Sequence, residues 1–165
     1  MAGSRSFEEF YSGTVGRLLG QLFPVTGDLH EAEEIVQEAF TRAAARWSRL
    51  RDYDVPEAWV RRVAMNLATD RARNRRRQTR ATLRLRPPAE VLPASVEALA
   101  LVEALRTLSV RQRQVLVLHY LVDLPVDEVA RTLGMPEGTV KSLLSRGRQA
   151  LAAQLGEAEE VLYPS

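Results

Sequence analysis

Cysteine is absent from the 165 residues, and the only two histidines, His30 and His119, stand far apart. A disulfide framework, a thiolate metal site and a cysteine nucleophile are thereby excluded, and an imidazole site has almost nothing to draw on. Apolar runs are short: none approaches the ~18 residues of a membrane-spanning helix. The first twenty residues carry Arg5, Glu8, Glu9 and Arg17 where a secretory leader would be apolar. No metal, no cofactor and no membrane insertion are expected, and the chain reads as cytoplasmic. Lysine is nearly missing too, since Lys141 is the only one among 23 basic residues.

At 45% apolar composition the chain can bury one core or two small ones. Its net charge of +2 hides an uneven distribution. Residues 1–41 carry net −5, residues 42–86 net +10, and residues 87–165 net −3. A basic block between acidic flanks points to a polyanion for the middle and a different partner for the ends.

Pro87, Pro88 and Pro93 fall within seven residues and interrupt any regular element. They predict a linker over 81–94 between a first unit at 5–80 and a second at 95–155, with a tail at 156–165. Apolar residues recur at spacings of three and four on both sides, which predicts an all-α protein of two small helical bundles. In the first unit the expected helices span 6–26, weakened by Gly13, Gly16, Gly20 and Pro24, then about 29–49 after an Asp28 cap, then 56–78. The 29–49 helix carries Ala32, Val36, Phe40, Ala43 and Trp47 on one face, and the 56–78 helix Trp59 or Val60, Val63 and Leu67. In the second unit they span 95–107, 109–121, 125–133 and 137–155, with a Ser109–Gln112 capping box.

The sharpest local pattern lies in 126–145. A short helix ends at Gly134, which can take the positive φ of a tight turn, and a longer helix follows. Ala130 is small where the two helices cross, and Val129, Leu133, Val140 and Leu144 supply a shared apolar seam. Lys141, Ser142, Ser145 and Arg146 are left on the opposite face, the arrangement of a helix-turn-helix whose second helix enters the DNA major groove. Thr139, near the start of that helix, suits a phosphate contact, and Arg146 suits guanine edges. A helical hairpin with a solvated polar face is the plainer alternative.

A second pattern is the 56–78 helix. Arg62, Asn66, Asp70 and Arg73 recur at helical spacing and run into Arg71-Ala72-Arg73-Asn74-Arg75-Arg76-Arg77. Arginines that neutralise phosphates release counterions, so Arg73, Arg76 and their neighbours predict salt-sensitive, sequence-blind binding. The Asn66 amide suits a base edge, and Leu50, Tyr53 and Trp59 suit unstacked bases. A solvated helix end and a core tryptophan are the competing readings. The third pattern is Glu33, Glu34, Gln37, Glu38 and Thr41, off the apolar face of 29–49. By its chemistry alone it reads equally as a solvated face, early acids being favoured by the helix dipole.

Together the three patterns resemble the extracytoplasmic-function (ECF) type of bacterial RNA polymerase sigma factor. Asp28 through Ala44 is similar to sigma region 2.2, and the segment from Pro56 to Ala68 to regions 2.3–2.4 with their W-x-x-R-x-x-x-N core. Leu108 through Tyr120 and Gly138-Thr-Val-Lys-Ser resemble region 4. The resemblance spans about 7–155, in the family's order. Leu143 stands where members commonly carry Arg. The resemblance implies a dissociable promoter-specificity subunit, not an enzyme, attached to the nucleoid through RNA polymerase. Glu34, Gln37, Glu38 and Thr41 would dock on the β′ clamp helices of core RNA polymerase, and the β flap of the polymerase is a further expected contact. Leu50, Trp59, Arg62, Asn66, Arg73 and Arg76 would contact the melted minus-10 DNA. Thr139, Lys141, Ser142, Ser145 and Arg146 would read the minus-35 duplex. An anti-sigma factor is a further expected partner, because no appended regulatory domain is expected after the last helix. The competing function is a stand-alone helix-turn-helix transcriptional regulator, which leaves the Arg-rich first unit without a role. A nuclease or ligase lacks a carboxylate cluster or paired acid and base.

Overall fold

The structure, a computed structural model, describes residues 5–78 and 96–162. These residues form α-helices and one π-helical turn, with no strand among them. The chain divides into two compact units after Ala89. The linker expected over 81–94 lies outside the described residues.

In the first unit, α1 runs unbroken over Phe7–Thr26 despite its glycines and Pro24. Ser6 caps it by accepting a hydrogen bond from the Glu9 N–H at 3.2 Å. Gly13, Gly16 and Gly20 all lie on the exposed side, where they lower helix propensity by about 1 kcal/mol each relative to Ala. Burial outweighs that cost: Phe10, Thr14, Leu18, Leu22 and Val25 follow one another at helical spacing and are all buried. Pro24 falls in the last turn, just before Gly27 closes the helix with a left-handed φ of 71°.

Asp28 then caps α2 (Leu29–Ala45), accepting from the Glu31 N–H at 3.2 Å. Ala32, Ile35, Val36, Ala39, Phe40 and Ala43 form its buried face. The helix expected to reach about 49 instead breaks at Arg46, whose φ of −114° and ψ of 12° interrupt the spiral. One separate turn, α3 (Trp47–Leu50), follows. Trp47 and Leu50 keep the spacing of Phe40 and Ala43 across the break and so stay on the same apolar face. Trp47 stacks on Phe10 with ring centroids 4.9 Å apart, and Leu50 is only 1% exposed.

α4 spans Pro56–Gln78, as the proline at its first position predicts. Its buried face is Val60, Ala64, Met65, Leu67 and Ala68. Trp59 and Val63, expected on that face, are half-buried at its margins. Near its start, Glu57 accepts both Nε and Nη2 of Arg17 at 3.1 Å, which ties α4 to α1. Arg61 is buried and donates from Nε to Gln21 at 3.1 Å, a second polar tie between the same helices.

The second unit begins with α5 (Val96–Leu105) and α6 (Val110–Leu116). The capping box is formed: Ser109 Oγ accepts from the Gln112 N–H, and the Gln112 side chain accepts from the Ser109 N–H. A π-helical turn over Val117–Leu121 continues α6. α7 (Val126–Leu133) ends at Gly134, whose φ of 64° is the left-handed value the turn requires. α8 covers Glu137–Leu162 and so passes the expected end at 155. Val129, Leu133, Val140 and Leu144 are buried together between α7 and α8, with Ala130 beside them. Farther along α8, Gly147 lets α6 approach closely. A Cβ there would stand 3.0 Å from Leu116 Cδ1.

Candidate nucleic-acid interface

The apolar seam of α7 and α8 uses one side of α8 and leaves the other to solvent. Thr139, Lys141, Ser142, Ser145 and Arg146 are all exposed. Arg146 folds back lightly along its own helix, its Nε donating to the Ser142 carbonyl at 3.4 Å. None of the five is spent on the core. Hydroxyls, an ammonium and a guanidinium therefore project from one helix placed after a tight turn, the chemistry that DNA edges and phosphates accept.

On α4, Arg62, Asn66, Asp70 and Arg73 form one exposed stripe, and Arg76 and Arg77 are exposed beyond it. The arginine run is nevertheless divided. Arg71 and Arg75 continue the spacing of Val60, Ala64 and Leu67, so they point back over α2. There Arg71 Nη1 pairs with Glu34 at 2.6 Å and Nη2 stands 3.9 Å from Glu38. Arg75 pairs with Glu31, a carboxylate buried among the helices. Two of the five arginines in 71–77 thus hold the end of α4 against α2 rather than facing outward.

Leu50 requires correction as a base-stacking residue. It is buried, seven residues after Ala43 on the continuation of the same apolar face, and offers no surface to a base. The apolar surface offered by the 51–55 loop comes instead from Tyr53, 52% exposed, and Val55, 59% exposed. Trp59 is half-buried.

The polar face of α2 is exposed but engaged. Glu34 also meets His30 Nε2 at 2.9 Å, and Glu38 accepts from Arg42 at 2.9 Å. The hydrogen bond from Arg71, followed by its charge, outweighs the slight burial of Glu34 and holds its carboxyl below the usual carboxylate range. Gln37 donates from Nε2 to the Tyr11 hydroxyl at 2.8 Å, and Thr41 donates to the Gln37 carbonyl at 2.8 Å. The face is therefore a preordered set of paired charges and amides, not a row of bare carboxylates.

Residues 10–78 match the family description "Sigma-70 region 2" and residues 98–151 match "Sigma-70, region 4". The RNA polymerase sigma-E factor of Streptomyces coelicolor is 30% identical over 151 residues, covering 90% of this chain and 85% of that one. The ECF RNA polymerase sigma factor SigW of Bacillus subtilis is 31% identical over 152 residues, covering 81% and 80%. This chain belongs to the ECF sigma factor family. The solved sigma factor RpoE from Bartonella quintana, in complex with the anti-sigma factor NepR, has the same fold, with a TM-score of 0.74 at 21% identity over 91% of this chain and 96% of that one.

As a sigma factor, the chain carries its region 2 in the first unit and its region 4 in the second. Reasoning from sequence missed three features of region 2: the burial of Leu50, the Arg71 and Arg75 clasp, and the Tyr11–Gln37 bond. The second had a readable signal, because positions 71 and 75 lie on the extension of the apolar face. So did the first, because Leu50 follows the buried Ala43 by seven residues; the third depends on contact between distant segments. Among the described residues no group of His, Asp and Glu is arranged to hold a metal ion. No described helix is long and apolar enough to cross a membrane.

Proposed function

We propose that this chain is an alternative sigma factor that binds core RNA polymerase and directs promoter-specific transcription initiation, with a division of labour between its units. α8 reads the minus-35 duplex through Lys141, Ser142, Ser145 and Arg146, with Thr139 on the backbone. α4 and the 51–55 loop hold the melted minus-10 strand, Asn66 and Arg62 nearest the bases, Trp59 and Tyr53 as stacking surfaces, and Arg73 and Arg76 on phosphates. α2 docks on the β′ clamp helices through Glu34, Gln37, Glu38 and Thr41, and the second unit meets the β flap. The protein works in the cytoplasm, on the nucleoid through the polymerase, and performs no catalysis itself. An anti-sigma factor fits as its regulator, the kind of partner that the similar RpoE carries in its solved complex.

The observation that supports this most is the joint occurrence of the two sigma regions, in order, with every polar residue of the α8 reading face exposed. The test is transcription from genomic fragments by core polymerase with and without this chain, with start sites mapped. Selective starts that share minus-35 and minus-10 elements are expected only when the chain is present. Operator binding by a dimer of the chain alone, with no effect on core polymerase, would instead make it a stand-alone regulator.

A further inference from the structure

A π turn interrupts the helical spiral of the second unit, and one of its side chains meets α8. At Val117 the α6 spiral widens: the Val122 N–H reaches the Val117 carbonyl at 3.1 Å and the Leu124 N–H reaches the Leu118 carbonyl at 3.0 Å. Asp123 closes the turn in the left-handed region, at φ 60°. Single π turns inside helices occur frequently at functional positions, where they re-aim a side chain. Here Val117 and Leu118 remain in the core while Tyr120, two residues on, is 51% exposed.

Tyr120 is held in place although it is exposed. His119 packs edge-on against its ring at a centroid distance of 4.8 Å. The His119 ring is itself pinned, with Nδ1 lying 2.9 Å from the Leu124 carbonyl. A carbonyl only accepts, so Nδ1 is the nitrogen that carries the proton there. The Tyr120 hydroxyl accepts from Arg148 Nη1 at 2.8 Å, a contact across 28 residues of chain. Arg148 is exposed and makes no ion pair among the described residues.

Arg148 follows Lys141 by seven residues, two helical turns, so both project from one flank of α8 about 10.5 Å apart along its axis. Thr139 and Arg146 have the same spacing on the other flank. Ser142, Ser145 and Gln149 lie between the two, all exposed. The groove-facing strip is thus bordered by a cation on each side.

We propose that Tyr120 and Arg148 form a phosphate clamp beside the minus-35 helix. The Arg148 guanidinium has five N–H groups and uses one on Tyr120, so the others can meet the oxygens of one backbone phosphate. The Tyr120 oxygen accepts from Arg148 while its own proton is donated to that same phosphate. The phenol stands on the π turn. A phosphate contact fixes register and carries no base information, so the clamp adds affinity for every sequence alike. This inference rests on α8 being the minus-35 helix.

The experiment uses the full chain bound to core polymerase, on duplex promoter fragments with intact and scrambled minus-35 elements, over a range of salt concentrations. Arg148→Ala should flatten the slope of log affinity against log salt by about 0.9, equally on both templates. Tyr120→Phe removes one oxygen and no charge. It should leave the slope unchanged, weaken binding roughly 2–10-fold on both templates, and weaken it by a smaller factor in the Arg148→Ala background, where the hydroxyl has lost the guanidinium that orients it. An unchanged slope in Arg148→Ala, a silent Tyr120→Phe, or an effect confined to one minus-35 sequence overturns the clamp. Arg146→Ala, measured alongside, separates the two ideas. If it relaxes minus-35 preference while the clamp variants are silent, the reading of α8 stands and the clamp falls. If the wild type itself does not distinguish the templates, the reading of α8 fails and the clamp with it.

Discussion

Arg71 on α4 and Glu34 on α2 form an ion pair at 2.6 Å, 37 residues apart in sequence. It joins the helix proposed to hold promoter DNA to the helix proposed to dock on polymerase. Glu38 approaches the same guanidinium and pairs with Arg42, while the His30 ring meets Glu34. Because both carboxylates already have cationic partners, a basic docking partner must compete with Arg71 for them.

That pair has a definite pH signature. Arg71 depresses the folded-state pKa of Glu34, so its stabilising contribution is complete above the ordinary carboxylate range and disappears as pH falls through the depressed value. Both side chains are partly exposed, so the contribution at neutral pH is about 0.2–1 kcal/mol. Glu34→Gln should be less stable than wild type by that amount near pH 7, and the difference should vanish in acid. Urea unfolding midpoints at several pH values measure it.

Arg75 and Arg77 should behave as opposites although they are near neighbours. Arg75→Ala removes a cation that pairs with the buried Glu31 carboxylate. Breaking a buried pair costs roughly 3–5 kcal/mol, and the partial exposure of Arg75 sets the expectation at or below the low end. Arg77→Ala, at an exposed position, should leave unfolding unchanged. It should instead flatten the salt dependence of holoenzyme binding to promoter DNA by about 0.7–0.9 log units if one phosphate contact is lost. A triple substitution of Arg75, Arg76 and Arg77 would mix the two effects.

Glycine has opposite value at two helical sites. Nothing lies within 4 Å of a Cβ placed on Gly16, so Gly16→Ala should stabilise the first unit by about 0.5–1 kcal/mol. At Gly147 the first added carbon already meets Leu116 at 3.0 Å. Gly147→Val should therefore destabilise the second unit by about 1–3 kcal/mol through overpacking. Thermal unfolding, followed by a probe in each unit, reads both.

Reading and opening should separate genetically. Arg146→Ala should cost about 1–3 kcal/mol of binding, the worth of one bidentate base contact, and relax preference at one or two minus-35 positions. Asn66→Ala should spare minus-35 recognition but weaken binding to the single-stranded minus-10 segment, because the extruded base loses a hydrogen-bonding partner. Both residues are exposed, so neither variant should unfold its unit. Permanganate footprinting and minus-35 randomisation score the two side by side; loss of the same step in both would refute the division.

The sequence by itself determined what depends on local spacing. The helical class followed from apolar recurrence at three and four. The Asp28 cap, the Ser109 capping box and the left-handed turn at Gly134 were legible because each is decided within four residues. The exposed face of α8 followed from its buried one, since a single straight helix leaves no freedom between them. Only tertiary structure decided the rest. α1 persists because burial of its Phe10, Leu18 and Leu22 face exceeds a propensity cost that the sequence displays openly. Arg71 and Arg75 were removed from the apparent phosphate-binding run by carboxylates about forty residues earlier. Tyr120 stands on a π turn and meets Arg148 across 28 residues of chain. Charges and phenols take their roles from what faces them, and that is set by packing between distant segments.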